Sequence, residues 1–231
     1  MEAVRGHQFR TRAGQCCLCG GSSECGRWIG AALQDGTVLG LLRSCEACPV
    51  RANPRGRLDR MNVDIAALDD AGLRALAAQL GDALMAQHLM LVTAESCTGG
   101  WIAKTVTDIA GSSSWFDCGM AAYSYEAKQA LLGVRPETLT EHGAVSRETV
   151  LEMVSGALIH SGASIAVAVT GIAGPSGGTT DKPVGTVWIG WKRRGGYPMA
   201  EVFHFLGDRE SVRRQTVAAA LHGLQRLAGN S

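Results

Sequence analysis

What the 231-residue chain lacks narrows its possibilities first. It has no run of 18 apolar residues, which excludes a helical membrane span, and no membrane partner is expected. The first fifteen residues are charged and contain no apolar stretch of the signal-peptide kind. Secretion is therefore not expected, and a cytoplasmic location is. No collagen-like period, low-complexity tract or internal repeat is present, and 46% hydrophobic against 19% charged residues is too apolar for a disordered chain. A globular protein remains, long enough for one domain of ~150 to 200 residues with an appendage.

Lysine is missing from residues 1 to 60, which carry nine Arg and five acids, a balance of +4. Residues 61 to 231 carry thirteen basic and sixteen acidic residues, a balance of −3. Cysteine divides the same way: six of the eight, Cys16, Cys17, Cys19, Cys25, Cys45 and Cys48, fall in the first segment. The stretch Asn53-Pro54-Arg55-Gly56-Arg57 reads as a linker, because Pro and Gly break regular structure and the charges stay solvated. Two units are therefore expected, 1–60 and 61–231. In the first, Cys16 with Cys19 and Cys45 with Cys48 form two Cys-x-x-Cys pairs, a donor set suited to tetrahedral zinc. The 25 residues between them exceed the usual spacing. An irregular or disordered extension, or text upstream of a start at Met61, is the preferred expectation. A disulfide framework fits a reducing compartment least well.

From Asp69 onward apolar residues at Leu73, Leu76, Ala77, Leu80 and Leu84 follow a helical period. Leu89 to Ala94 is a short apolar strand that empties into the turn Glu95-Ser96-Cys97-Thr98-Gly99-Gly100, followed by a helix to Ala110. A strand from Phe116 to Tyr123 and a helix from Glu126 closed by Gly133 come next. A helix capped by Ser146 runs to His160, and a β-branched strand spans Ser164 to Val169. Strands at Val184 to Trp191 and Met199 to Phe205 flank Arg193-Arg194-Gly195-Gly196, where the two arginines are read as solvating a hairpin tip. A helix from Arg209 to Leu227 closes the chain. This alternation predicts an α/β fold: a three-layer α/β sandwich with a mixed sheet, as a single domain after an irregular N-terminal extension.

Ligands in open α/β sheets sit where strand ends meet helix starts, so the polar turns are the informative places. Ser96 lies just before a helix, and the amides of Thr98, Gly99 and Gly100 are expected among its unpaired donors, able to hold a phosphate or an oxyanion. Ser96 and Thr98 as plain helix caps read equally well. Tyr123 and Lys128 follow the next strand. A lysine in a partly desolvated site can lose its proton near neutrality and activate a serine hydroxyl, while a solvated lysine and a half-buried tyrosine are the plain alternatives. Residues 170 to 178 hold five Gly or Pro in nine positions, a loop that lets backbone amides approach a ligand. The Walker ending, the dinucleotide fingerprint and the Gly-x-Ser-x-Gly elbow are all missing. Cys97 reads as a packing cysteine, His142 and His160 as surface residues, and Trp101, Trp115, Trp188 and Trp191 as core.

Several segments together resemble the CinA C-terminal domain family. They are Ala94-Glu95-Ser96-Cys97-Thr98-Gly99-Gly100, Tyr123-Ser124 with Ala127-Lys128, Thr170-Gly171-Ile172-Ala173-Gly174-Pro175 with Gly177-Gly178, Lys182 to Val187, and Gly207-Asp208-Arg209 with Val212-Arg213. The resemblance runs from about residue 70 to 228, in order. It implies a bacterial nicotinamide mononucleotide deamidase of the PncC type, converting the carboxamide to nicotinate mononucleotide and ammonia in pyridine nucleotide recycling. By matching position, Ser96 would be the nucleophile and Tyr123 and Lys128 its activating partners. Thr98, Gly99, Gly100, Thr170, Gly171 and Gly174 would line the substrate site, with Arg209 and Arg213 as candidates for the phosphate. No cofactor or metal is implied, and a homodimer is expected. Many relatives carry a larger upstream domain resembling molybdopterin-binding proteins; residues 1 to 60 resemble nothing in it.

Two further functions compete. One is a non-catalytic nucleotide-binding module of the same family. The other is a zinc-dependent nucleic-acid or partner-binding protein built on residues 1 to 60, although the net −3 of the remainder argues against nucleic acid.

Overall fold

The computed structural model describes residues 67–229. The Cys-x-x-Cys pairs of Cys16, Cys19, Cys45 and Cys48, and the boundary expected at Met61, lie outside the described residues.

Five strands form one sheet in the order β2-β1-β3-β4-β5. The strands are β1 (Leu91–Glu95), β2 (Phe116–Ala121), β3 (Ile165–Gly171), β4 (Thr186–Arg193) and β5 (Met199–His204). β1 pairs parallel to β2 and β3, whereas β3, β4 and β5 pair antiparallel. Among the described residues six α-helices accompany them: α1 (Asp70–Ala86), α2 (Trp101–Thr107), α3 (Tyr125–Leu132), α4 (Pro136–His142), α5 (Arg147–Ile159) and α6 (Arg209–Gly229). None of the described helices is long and apolar enough to cross a membrane.

The sheet carries a core on each face because neighbouring strand residues point to opposite sides. On one face Leu91, Ile165, Val167, Val169, Val187, Ile189 and Trp191 pack with α1, α2 and α6. On the other Val92, Ala94, Ala166 and Ala168 meet the buried side of α5 through Val150, Met153, Val154 and Ala157. The expected three-layer sandwich with a mixed sheet is what forms. β1 and β3 have no exposed residue, which is why both read as unbroken apolar runs.

Local sequence sets most boundaries. Asp69, Ser124 and Ser146 cap α1, α3 and α5 by accepting the amides of Gly72, Ala127 and Thr149. Gly133 ends α3 in the left-handed region at φ 63°. α2 stops at Thr107, short of the expected Ala110, because its amide ladder gives way to the turn ending at Gly111, φ 82°. Helix α4 had no sequence-based counterpart, although Pro136 stands at its first position, where its missing amide costs nothing. Arg194 does not merely solvate the hairpin tip. Its guanidinium donates to the carbonyls of Leu158, Ser161 and Ala163, tying the β4–β5 turn to the end of α5.

The closest backbone approach in the second layer is at Gly156, where a Cβ would stand 1.7 Å from the Leu132 carbonyl oxygen. Gly156→Ala must therefore move α5 from α3. The expected cost is about 3 kcal/mol, a fall of about 10 °C in thermal midpoint for a domain of this size. A midpoint equal to wild type in a calorimetric scan would contradict that packing.

Candidate active site

The parallel strands β1 and β3 end side by side, and their carboxyl ends hold the turns singled out in the sequence. Ser96 follows β1 directly and its amide donates to the Val169 carbonyl at 3.0 Å. Strand alternation then separates two neighbours: Glu95 points to the α2 face, and Ser96 faces the layer that contains α3. From α3, Lys128 reaches beneath the strand ends and is 1% exposed. Its Nζ lies 3.0 Å from Ser96 Oγ, 3.0 Å from the Ala122 carbonyl and 3.0 Å from the Tyr123 carbonyl. Ser96 and Lys128, thirty-two residues apart, are thus brought into direct contact.

Burial lowers the pKa of Lys128 from its ordinary value of 10.5, since an ammonium is poorly solvated there and no carboxylate faces it. The three partners then decide what the neutral amine can do. Both carbonyls can only accept, so they take its two N–H groups, and the lone pair is left facing the one partner with a proton to give, the Ser96 hydroxyl. That is the arrangement of a general base on a nucleophile.

Tyr123 enters this cluster differently than expected. Its main-chain carbonyl, not its phenol, meets Lys128. Tyr123 is 62% exposed, and its phenol accepts from Arg209 at 3.2 Å. Arg209 also donates to the Gly174 carbonyl at 2.9 Å, so it links Tyr123 to the glycine-rich loop. The Gly174–Pro175 peptide is cis. Thr170 is 1% exposed and its hydroxyl donates to the Ala144 carbonyl at 2.7 Å, which makes it a strut between β3 and the chain before α5. Gly171 is needed for packing, because a Cβ there would sit 2.6 Å from Val187 Cγ2.

The turn after Ser96 corrects the expectation that the Thr98, Gly99 and Gly100 amides are all unpaired. Gly99 donates to the Ser96 carbonyl at 3.1 Å. The Gly100 amide goes to Glu95, whose carboxylate also takes the amides of Ile102 and Ala103 and the hydroxyls of Thr98 and Thr93, at 2.7 to 3.2 Å. Sequence reasoning missed Glu95. An acid one residue before a helix-opening turn is the signal that could have exposed it, since the first turn of a helix favours a carboxylate. Cys97, 5% exposed, is held protonated by burial, its pKa pushed up to about 12. It is the packing residue expected.

Arg213 is placed otherwise than as a free phosphate ligand. Its Nε donates to the Cys97 carbonyl at 3.1 Å and one terminal nitrogen to the Thr98 carbonyl at 2.7 Å, while its guanidinium stacks 5.0 Å from the Trp101 ring centre. Beside it a cleft of about 570 Å³ opens between the first turns of α2 and α6. Gly99, Gly100, Trp101, Lys104, Arg209 and Glu210 share its walls with Arg213, so cations outnumber the one acid. Among the described residues no group of His, Cys, Asp and Glu is arranged to hold a metal ion.

Glu95→Ala would leave the opening amides of α2 buried without an acceptor. A loss of about 3 to 5 kcal/mol in unfolding free energy is expected, and a smaller one for Glu95→Gln, whose amide oxygen still accepts. Equal midpoints for the two variants in urea titrations would contradict the role given to the carboxylate.

Residues 73–228 match the family model described as the CinA C-terminal domain. Nicotinamide-nucleotide amidohydrolase PncC of Escherichia coli strain K12 is 52% identical over 157 residues, covering 68% of this chain and 95% of that protein. The protein of the same name from Pseudomonas putida is 50% identical over 155 residues, covering 67% and 96%. Among solved structures, the competence/damage inducible protein CihA from Agrobacterium tumefaciens superposes with a TM-score of 0.67 at 46% identity, covering 69% of this chain and 96% of that one. The sheet, the turn after β1 and the match along 73–228 agree, and the chain belongs to the CinA C-terminal domain family.

Proposed function

We propose that this amidohydrolase cleaves the carboxamide of nicotinamide mononucleotide, yielding nicotinate mononucleotide and ammonia, and so serves pyridine nucleotide recycling. The observation that carries the reading is the buried Lys128 amine 3.0 Å from Ser96 Oγ with only carbonyls as its other partners. The names of the relatives from Escherichia coli and Pseudomonas putida support the substrate.

In the proposed reaction Lys128 Nζ takes the Ser96 proton as Oγ adds to the carboxamide carbon, giving a tetrahedral oxyanion. The C–N bond then breaks, and the nitrogen leaves as ammonia with the proton returned by Lys128. Water, deprotonated by the same amine, adds to the acyl-enzyme carbonyl, and the ester bond to Ser96 breaks as Lys128 returns that proton to Oγ, releasing the acid. Tyr123 and Arg209, bonded to each other at the rim, contact the ring and sugar side of the substrate. The cleft bearing Lys104 and Arg209 suits the phosphate in both charge and size. The turn from Thr98 to Gly100 and the loop with Thr170, Gly171 and Gly174 shape the walls.

Ammonia release from nicotinamide mononucleotide tests the reading. Wild type should turn over and Ser96→Ala should not, while the variant still binds the nucleotide in a calorimeter. Lys128→Ala should lose about 10³-fold in kcat. The sign of the pH dependence follows from the lowered Lys128 pKa: protonation removes the base, so kcat falls as pH drops through that value and levels off above it. Undiminished turnover by Ser96→Ala, or a profile with no acid limb, would contradict the mechanism. Nucleotide binding with no turnover in any form would favour a non-catalytic binding module.

A further inference from the structure

Two peptide units follow Ser96, and Arg213 holds the carbonyl of each. The guanidinium takes the Cys97 oxygen at 3.1 Å and the Thr98 oxygen at 2.7 Å. In a planar trans peptide the C=O and the N–H point in opposite directions, so fixing the oxygen on one side fixes the hydrogen on the other. The Thr98–Gly99 unit shows which side that is, since its N–H, opposite Arg213, donates back to the Ser96 carbonyl at 3.1 Å. The Cys97–Thr98 unit is clamped in the same sense. Its N–H, that of Thr98, belongs to a residue that is 0% exposed and is bonded to no other described residue.

A buried amide without an acceptor carries a desolvation cost of about 1 to 3 kcal/mol, and a group kept in that state beside a nucleophile is ready to accept a charge that forms there. Most other amides of this turn are already used: Ser96 by Val169, Gly99 by Ser96, Trp101 by Thr98, and Gly100, Ile102 and Ala103 by Glu95, while the Cys97 amide, like that of Thr98, is bonded to no other described residue. The carboxylate therefore withdraws the helix amides from competition, and the arginine, by holding the Cys97 carbonyl, aims the Thr98 amide.

We propose that Arg213 is a positioning residue that sets the Cys97–Thr98 peptide so that the Thr98 amide donates to the oxyanion formed on attack by Ser96. The inference rests on the proposed nucleophile. It replaces phosphate binding as the task of Arg213, whose Nε and one terminal nitrogen face the protein's own carbonyls. Gly99 permits the arrangement: at φ 61° it turns the chain, and a Cβ there would sit 3.8 Å from the arginine's terminal nitrogen. The Trp101 ring lies 5.0 Å from the guanidinium and supports it from one side.

Steady-state kinetics with nicotinamide mononucleotide separate positioning from substrate binding. Arg213→Ala should lower kcat about 10²-fold, the scale of a lost oxyanion donor, with KM close to wild type. Added guanidinium ion should restore part of kcat without changing KM. Arg213→Lys covers the case in which the alanine variant does not fold, because an ammonium reaches one carbonyl but cannot span both, and kcat should again fall with KM held. A raised KM with kcat retained would overturn the proposal in favour of a phosphate contact, and unchanged constants would overturn it outright. Labelling of Ser96 by a fluorophosphonate supplies a readout independent of the nucleotide. If wild type labels at Ser96 but releases no ammonia, the substrate reading fails alone, and a slower labelling rate in the Arg213 variants still supports the positioning role. Equal labelling rates in wild type and variants would overturn it.

Discussion

The site depends on one lysine amine sealed from water among three oxygens. Lys128 lies beneath the ends of β1 and β2, and its surroundings contain acceptors but no counter-charge. Taking an ammonium out of water without a partner carboxylate drives its pKa down, and the carbonyls then leave the lone pair only the Ser96 hydroxyl. The same shift works against folding. The unfolded chain binds the lysine proton at pH values where the folded chain has released it, so this group's contribution to stability falls as pH drops below 10.5 through the folded value. Such a cost is borne by the rest of the structure, and placing it at a strand-end crevice is consistent with a catalytic use.

Two charged side chains then keep the nucleophile's turn in shape from opposite directions. Glu95 gathers the amides that open α2, while Arg213, delivered from α6, gathers the carbonyls of Cys97 and Thr98. Neither side chain is hydrogen-bonded to Ser96. The sheet contributes Glu95 at the end of β1, the helix layer holding α6 contributes Arg213, and the opposite layer contributes Lys128 through α3. The sheet between them fixes the spacing, because Glu95 and Ser96 are consecutive and must face opposite layers. A change in the packing of either layer therefore reaches the site through a strand that has no slack.

Much of this was legible in the residues themselves. The periodicity of Leu73 to Leu84, the apolar runs of β1 and β3, the closing Gly133 of α3, and caps at Asp69 and Ser146 each report a local preference that the fold obeys. Ser96 and Lys128 were readable as a nucleophile and base in type, and their resemblance to a family joined them. What escaped the sequence is what depends on three-dimensional pairing. Arg194 reads as a solvated hairpin-tip cation and Arg213 as a phosphate candidate, but each ends on backbone carbonyls far along the chain. Thr170, which the resemblance implies as lining the substrate site, also braces β3 through its hydrogen bond to the Ala144 carbonyl. Glu95 was passed over because an acid after an apolar strand resembles the start of a solvated turn, whereas here it is 1% exposed and satisfied by five donors.

The central claim is the protonation state of one amine beside one hydroxyl, and it can be observed without substrate. Titration of Lys128 Nζ by heteronuclear magnetic resonance, in protein labelled at lysine and assigned by comparison with Lys128→Met, reads it directly. The account predicts a single lysine titrating well below the ordinary 10.5, with a midpoint matching the acid limb of kcat. A Lys128 midpoint at the ordinary value would mean that the amine stays charged at neutral pH, and it would contradict the assignment of Lys128 as the base.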